Sequence, residues 1–376
     1  MACKKRYIFL VKDFLPFMKI IDRYLLKEYL RNFFLIAVIF LSLFLLIDFF
    51  EKIRMFLSNN ATVFQMLSYS FFKLPLAFSQ LLPAVVLLSS LITFGNLSRH
   101  NEIIAMKTNG LHVFRLAGSS FIIAALTSVG IFILNEWVNP YAFAKSEHIR
   151  LVEVQKRPSL GSFSHGQIWY RGQKGIYNFR LFDAKSNSLS GISIYYLDNS
   201  MNLSMRLDAK SGKWEKGRWV FSHVLITRFN QDDFPVISRI KTQTADIPET
   251  PADFKLVQKD AEAMGYFELK RYIKRLQSEG YDATQYVVDL YGKIAFPLVS
   301  IILAIIGFSF SLRSERSGGI FAGIGAGLII GFSYWIVFAF GISLGRAGTL
   351  PSVLAAWIAN IIFGAASLVM LSRVRS

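Results

Sequence analysis

Six apolar stretches long enough to cross a bilayer, three before and three after a polar insert running from Asn139 to about Asp289, constrain this chain more than any other feature. A helix needs roughly 20 consecutive apolar residues to cross the hydrocarbon core. Such runs lie at Phe33 to Phe50, Met66 to Gly95, Leu116 to Val138, Ile294 to Leu312, Ile320 to Ser343 and Leu350 to Leu371. They predict a membrane α-helical bundle of six spans, arranged three plus three, with a domain inserted between the halves. The divisions are 1–32 for a cytoplasmic N-terminus with an interfacial helix, 33–138 for spans one to three, 139–289 for the insert, and 290–376 for spans four to six. The content of 53% hydrophobic against 18% charged residues would be odd for a soluble chain of 376 residues. Span one is too long for a signal peptide and lacks a small-residue cleavage site, so it reads as a permanent helix.

The formal net charge of +17 reports orientation in such a chain, not nucleic-acid binding, because Lys and Arg collect in cytoplasmic loops. Lys4, Lys5, Arg6, Lys12, Lys19, Arg23, Lys27 and Arg31 precede span one and place the N-terminus in the cytoplasm. Arg99, Lys107, Arg115, Arg313, Arg316, Arg373 and Arg375 then fall on the same side, which puts the insert outside and both termini inside. Cys3 is the lone cysteine, so the insert has no intramolecular disulfide and must be held by its own core. Met18 opens the run MKIIDRYLLKEYL, whereas Met1 to Phe17 show little periodic pattern. That first segment reads as a dispensable extension or a misassigned start.

Within the insert the pattern changes to short runs of period two, at Gln167 to Arg171, Gly175 to Leu181, Ile192 to Leu197, Leu203 to Ala209, Trp219 to Arg228 and Phe234 to Thr244. Alternating Ile, Val, Tyr, Phe and Trp of this length are half-buried strands. The intervening RGQKG, DAKSNS, LDNS and KSGKWEKGR supply residues that tight reversals use. Antiparallel strands without helices between them predict a two-sheet sandwich or jelly roll. Two uses stay open for it, a stalk or docking module and an apolar trough for an acyl ligand. After Pro248 and Pro251, Gly265 to Glu279 has helical spacing of Phe267, Leu269, Ile273 and Leu276 and leads into span four.

Catalytic signals are missing. The five histidines are scattered without metal-ligand spacing, neither a G-x-S-x-G elbow nor a Walker A loop appears, and no metal or cofactor is implied. If ATP drives this protein, another chain hydrolyses it. The segment 98–110 between spans two and three predicts a short helix, with Ser98 or Asn101 as cap, Glu102 at its positive end, Ile103, Ile104 and Met106 as apolar contacts, and Gly110 as its stop. It could lie on lipid headgroups or seat in a groove of a cytoplasmic partner. Span five carries Gly319, Gly323, Gly327 and Gly331 at every fourth position, a face that lets two helices approach closely. That face serves either packing within one subunit or a moving seam between subunits. Ionisable residues gather near the ends of the spans, at Asp48, Glu51, Lys52, Arg54, Lys73, Glu136, Lys293 and Arg346. Such groups at membrane depth face protein or a wet cavity. Asp48 and Lys52, four residues apart, could pair with each other, or the basic groups could hold a phosphorylated headgroup.

Several segments together resemble one family. DRYLLKEYL, IDFFEKIRMF, LPLAFSQLLPAVVLLSSLITFGNLSRHNEIIAMKTNG, EWVNP, GQIWYRGQKGIYNF and LSGISIYYLD are similar to the LptF/LptG lipopolysaccharide export permeases, from about Met18 to the C-terminus. IDFFEKIRMF and GISIYYLD lean toward the LptG branch. The resemblance implies an inner-membrane heterodimer of two related permeases, with LptF as the pair, on a dimer of the ATPase LptB, and periplasmic jelly rolls that join that of LptC in a bridge for lipopolysaccharide. It implies that Glu102, Ile103, Ile104 and Met106 form the coupling helix on LptB, and that Lys52 and Arg54 line the cavity under the lipid A phosphates. Asp48 departs from the basic residue found there in enterobacterial members. The resemblance also places spans one and five at lateral gates, and with them the glycine face. The expected function is therefore an ABC-type extractor subunit that does no covalent chemistry itself. The alternative is a membrane-anchored envelope scaffold without transport activity.

Overall fold

A computed structural model of the protein describes residues 20–374 apart from short segments at 157–160, 165–166, 172–174, 184–185, 198–201, 216, 230–233, 246, 248, 252–253, 255–259, 279–281 and 314–318. Met1 to Phe17, the loop Arg316 and the terminal Arg375 lie outside the described residues. Six helices carry the apolar windows. They are α1 (Ile20–Ser58), α2 (Val63–Arg99), α4 (Val113–Val154), α6 (Thr284–Arg313), α7 (Gly319–Arg346) and α8 (Ser352–Ser372), with the short α3 (Glu102–Thr108) between α2 and α4 and α5 (Tyr266–Ser278) ahead of α6. The chain divides into two compact units. One gathers the residues up to Ser146, Gly265–Phe267 and those from Thr284 onward; the other holds Glu147–Met264 and Glu268–Ala283.

Apolar windows set where helices occur, but polar ends set where they stop. The interfacial segment and span one form one 39-residue helix, because no Gly or Pro interrupts LLKEYLRNFF. The third helix likewise does not end at Val138. It runs through π turns at Leu134–Val138 and Ile149–Val154, so the division between units falls at Ser146 and not at Asn139. Thr62 caps α2 in a capping box, its hydroxyl accepting from the Gln65 amide while Gln65 accepts from the Thr62 amide.

The hub of the bundle is α2, whose apolar window is 67% buried, whereas those of α1 and α7 are 22% and 17% buried. Small and polar side chains stitch it to its neighbours. Tyr29 on α1 donates to the Val86 carbonyl at 3.1 Å, Asn32 to Thr93 at 2.8 Å, and Ser311 on α6 to the Leu91 carbonyl at 3.2 Å. Between α6, α7 and α8, Asn360 donates to the Ala295 carbonyl and accepts from the Tyr334 hydroxyl, at 2.7 and 2.8 Å. In lipid no water is on hand to satisfy these groups.

The second unit holds a seven-stranded antiparallel sheet in chain order: β1 (Gly161–Ser164), β2 (Gln167–Arg171), β3 (Gly175–Asp183), β4 (Ser188–Leu197), β5 (Leu203–Glu215), β6 (Arg218–Arg228) and β7 (Val236–Ala245). An inserted antiparallel β domain was expected, but a two-sheet sandwich is replaced by one meander, since each strand pairs with the next in sequence. KSGKWEKGR is not all turn. β5 continues to Glu215, and Gly217, at φ +80°, makes the reversal into β6.

One sheet nevertheless closes one core, because the strands share a crease. Inward residues recur every second position until Phe179 steps to Phe182, Leu189 to Ile192, Ala209 to Gly212 and Phe221 to Val224, three positions each. At the same line the register passes from Phe179↔Ile192 to Leu181↔Ser190, from Ile192↔Ala209 to Ser190↔Ser211, from Ala209↔Val224 to Ser211↔Ser222 and from Val224↔Ile240 to Ser222↔Thr242. Arg180, Gly191, Lys210, His223 and Lys241 are the residues passed over, and Gly191 and His223 have φ of +54° and +55°. One position on each strand drops out of the pairing without a shift of register, and this interruption, aligned across adjacent strands, bends the sheet so that both halves face one cluster. Ile247 and Phe254 cover that inner side. Phe254 lies 5.0 Å from the Phe179 ring and 5.6 Å from Trp219, and the Trp219 indole donates to the Glu249 carbonyl at 2.9 Å.

Candidate functional site

The short segment between α2 and α4 is helical over Glu102–Thr108, and its caps differ from expectation. Asn101 stands in the left-handed region at φ +58° and makes no side-chain capping bond. The C-terminal end follows the expected chemistry. Gly110 at φ +81° lets its amide reach the Lys107 carbonyl at 2.9 Å and the Leu111 amide reach that of Met106 at 3.1 Å, a Schellman closure. With its stop fixed, the helix presents two faces. Ile103 is buried and Met106 packs on the bundle core, whereas Ile104, Ala105 and Thr108 are exposed. The four residues named from sequence thus divide: Ile103 and Met106 hold the helix, while Ile104 faces outward.

Glu102 is not a lone carboxylate. The Tyr24 hydroxyl donates to it at 2.8 Å, because α1 runs beyond its apolar window and carries Tyr24 alongside. Two residues before Tyr24, Asp22 takes two bonds from the Arg115 guanidinium at the start of α4, at 3.2 and 2.8 Å, a forked pairing with fixed geometry. Asp22 and Tyr24 carry no local motif. Only the continuation of α1 past Phe33 could have pointed to them.

The charged cluster is sorted by contacts that sequence spacing did not supply. Asp48 is buried and pairs with Lys73 of α2, whose ammonium also lies 5.8 Å from the Phe44 ring and 5.5 Å from that of Tyr69. Lys52 pairs with its neighbour Glu51 at 2.9 Å. The expected Asp48 to Lys52 pair therefore does not form. The face of α1 carrying Asp48 turns into the bundle, where a partner across the helix interface spares a buried carboxylate, and Lys52 stays outward. Arg54 is exposed. At other span ends, Arg346 bonds Asp289 at 2.7 Å and Glu136 accepts from the Tyr266 amide at 2.5 Å.

The glycines of α7 are partly placed. A Cβ at Gly327 would run into Leu91 and Leu88 of α2, and one at Gly331 would meet Leu87 at 3.5 Å. These two face the hub of their own chain. The side-chain positions of Gly319 and Gly323 lie outside the described residues. On the other side of α7, Leu328, Ile329, Phe332, Trp335, Ile336 and Phe340 are exposed. Sequence reasoning missed glycines that face backbone: a Cβ at Gly307 would lie 2.9 Å from the Leu87 carbonyl, and one at Gly341 2.5 Å from that of Ala355. Gly307 has no glycine four residues away, whereas Gly341 pairs with Gly345 in GISLG.

In the sheet, Ser193, Arg206 and Asp208 form a polar group beside the stacked rings of Trp169 and Tyr195, 6.1 Å apart. The hydrogen bond from Arg206 to Asp208 holds the guanidinium above its ordinary range. β7 is an edge strand with Val236, Ile237 and Ile240 exposed. Among the described residues, no group of three His, Cys, Asp or Glu side chains is placed to hold a metal ion.

With this geometry in place, the comparisons are specific. The profile of the family "Lipopolysaccharide export system permease LptF/LptG" matches residues 23–373. The lipopolysaccharide export system permease protein LptG of Haemophilus influenzae is 23% identical over 351 residues, covering 91% of this chain and 95% of that protein. The protein of the same name from Escherichia coli K12 is 23% identical over 357 residues, covering 94% and 98%.

Proposed function

Because the chain belongs to the LptF/LptG family of lipopolysaccharide export permeases, we propose that it is the LptG-type permease subunit of an ABC-type extractor. Its partners in this reading are LptF as the second permease, an LptB dimer as the ATPase, and LptC at the start of a bridge. Lipopolysaccharide enters sideways from the outer leaflet of the inner membrane and leaves by way of the β domain, which lies in the periplasm with both termini in the cytoplasm. The cytoplasmic end of α1 and the basic loops support that orientation.

The observation that carries the reading is the two-faced α3. Ile103 and Met106 clamp it to the bundle, the Asp22–Arg115 and Tyr24–Glu102 contacts brace it, and Ile104, Ala105 and Thr108 remain uncovered. A rigid helix with an open face is suited to pass movement from an ATPase to the spans. The pairing with a second permease is supported by α1 and α7, the least covered spans. In this reading the gate seam runs along the outward side of α7, while Gly327 and Gly331 secure that helix to α2. Lys52 and Arg54, at the outward end of α1, meet the lipid phosphates, and Asp48 with Lys73 shapes the wall behind them. The edge strand β7 offers unpaired backbone to a strand of the bridge.

The test is Ile104→Asp in the co-expressed complex. Permease insertion and pairing should persist, while co-purification of the ATPase falls at least tenfold, the loss expected when a charge must be buried at an interface anchor. Undiminished ATPase recruitment and export would remove α3 as the coupling element.

A further inference from the structure

Helix α5 carries a cationic face that the export reading does not use. Its apolar residues Leu269, Tyr272, Ile273 and Leu276 are buried, whereas Phe267, Lys270, Arg271, Lys274 and Ser278 are exposed. At about 3.6 residues per turn these five share the side opposite the buried ones, and Phe267 to Lys274 spans roughly 10 Å of helix. Among the described residues Lys270, Arg271 and Lys274 have no carboxylate partner. Glu268, the one acid of the helix, is half-buried in the first turn, where the positive end of the dipole favours it. Arg275 interacts elsewhere in the chain and is not counted in the row.

Both ends of α5 are tied to spans. The Tyr266 amide donates to Glu136 of α4 at 2.5 Å, the Tyr266 ring lies 6.2 Å from that of Phe132, and a Cβ at Gly265 would meet the Glu136 carbonyl at 2.7 Å. Six residues beyond Ser278 the chain reaches Thr284, where α6 begins. Such a tether keeps the cations at high effective concentration near whatever surrounds the span ends, and that is the headgroup layer of a bilayer. A soluble acidic partner has no such advantage. With its apolar face buried in protein, α5 has little to insert among acyl chains. What it offers is charge on long flexible stems, which an anionic bilayer surface attracts, and beside that charge Phe267, 60% exposed.

We propose that α5 docks on the bilayer surface through anionic glycerophospholipids, with Lys270, Arg271 and Lys274 on their phosphates and Phe267 in the headgroup layer. The partner is the phospholipid matrix, not the exported molecule. Docking of this kind ties the connection between β7 and α6 to the plane of the membrane. The inference does not rest on the export reading. Its test follows a phospholipid contact, whereas the test of that reading follows ATPase recruitment, so either can fail alone.

The experiment places the full-length chain in nanodiscs of phosphatidylcholine, alone or mixed with phosphatidylglycerol. Cys3→Ser with Ser278→Cys allows one fluorophore to be attached a turn beyond Lys274. Both kinds of disc hold the same trace of phosphatidylcholine with a nitroxide headgroup, so quenching reports the approach of α5 to the headgroups. Quenching should be stronger with phosphatidylglycerol and should fall back at about 1 M salt, where charges are screened beyond about 3 Å. The triple variant Lys270→Gln, Arg271→Gln, Lys274→Gln should lower the ratio of quenched to unquenched label roughly tenfold, since each cation near an anionic surface adds to the attraction. Phe267→Ser should weaken docking by a smaller factor, and Lys210→Gln, on the sheet, should leave it unchanged. All these positions are exposed, and an unchanged thermal midpoint verifies folding. Equal quenching in the two kinds of disc, or an unaltered triple variant, would overturn the proposal. Quenching that requires lipopolysaccharide in place of phosphatidylglycerol, or tighter binding of an acidic peptide through the same three residues, would overturn it as well.

Discussion

The helical bundle and the creased sheet treat charge in opposite ways. In the bundle, Asp48 is met by Lys73, Asp289 by Arg346 and the Asn360 amide by a carbonyl and a hydroxyl. In the sheet, Arg180, Lys210 and Lys241 form an exposed row. Solvent explains the difference. Lipid offers no hydrogen bonds, so a buried charge there is matched by a protein partner, whereas a cation in water needs none. Glycine follows the same division. Gly327 and Gly341 let helices touch, while Gly191 supplies a positive φ at the crease.

The comparison predicts the largest effect at Asp48. Asp48→Ala leaves Lys73 without its carboxylate and should lower the stability of the purified chain by about 3 kcal/mol, the usual scale for breaking one side of a buried pair. Asp48→Ala with Lys73→Met should recover most of that in thermal unfolding. If the single and double variants melt alike, the pair is not buried from solvent, and the contrast with the sheet fails at its main point.

A smaller effect belongs to Gly327→Leu. The new side chain must displace Leu91 and Leu88, which should cost about 1 to 3 kcal/mol, the range for overpacking, and reduce the yield of folded protein. Gly325→Leu is the control, because nothing lies within 4 Å of its Cβ position. Full yield of Gly327→Leu with defective export would move the glycine face from internal packing to the gate.

The smallest effect should come from Arg206→Met. Its partner Asp208 lies on the sheet surface, where exposed pairs contribute less than about 1 kcal/mol, so chemical denaturation of the chain should barely shift. A loss comparable to that at Asp48 would show that the sheet handles charge as the bundle does.

Much of this architecture could be read without coordinates. Runs of apolar residues mark the spans because hydrocarbon thickness sets their length, and period two marks the strands because alternate side chains face one core. Gly110 was legible as a helix stop for an equally local reason, its left-handed backbone. Helix ends were less legible where no breaker stands, as at Val138, where the apolar pattern fades but the helix continues.

Pairing across elements lay beyond such reading. Asp48 offered Lys52 at four residues, yet bonds Lys73, 25 residues away; Glu102 was placed by its position at a helix start, and receives Tyr24 from 78 residues away. The crease shows the same limit from the other direction. KSGKWEKGR contains the residues of a turn, and only its alignment with the unpaired positions of β3, β4 and β6 makes Lys210 a point on a fold line instead of a reversal. Local sequence determined span, strand and stop, since those depend on solvent, periodicity and backbone freedom along the chain. Tertiary structure decided which charge meets which, because that depends on the rotation of each helix and the bend of the sheet, settled only when whole faces are buried together.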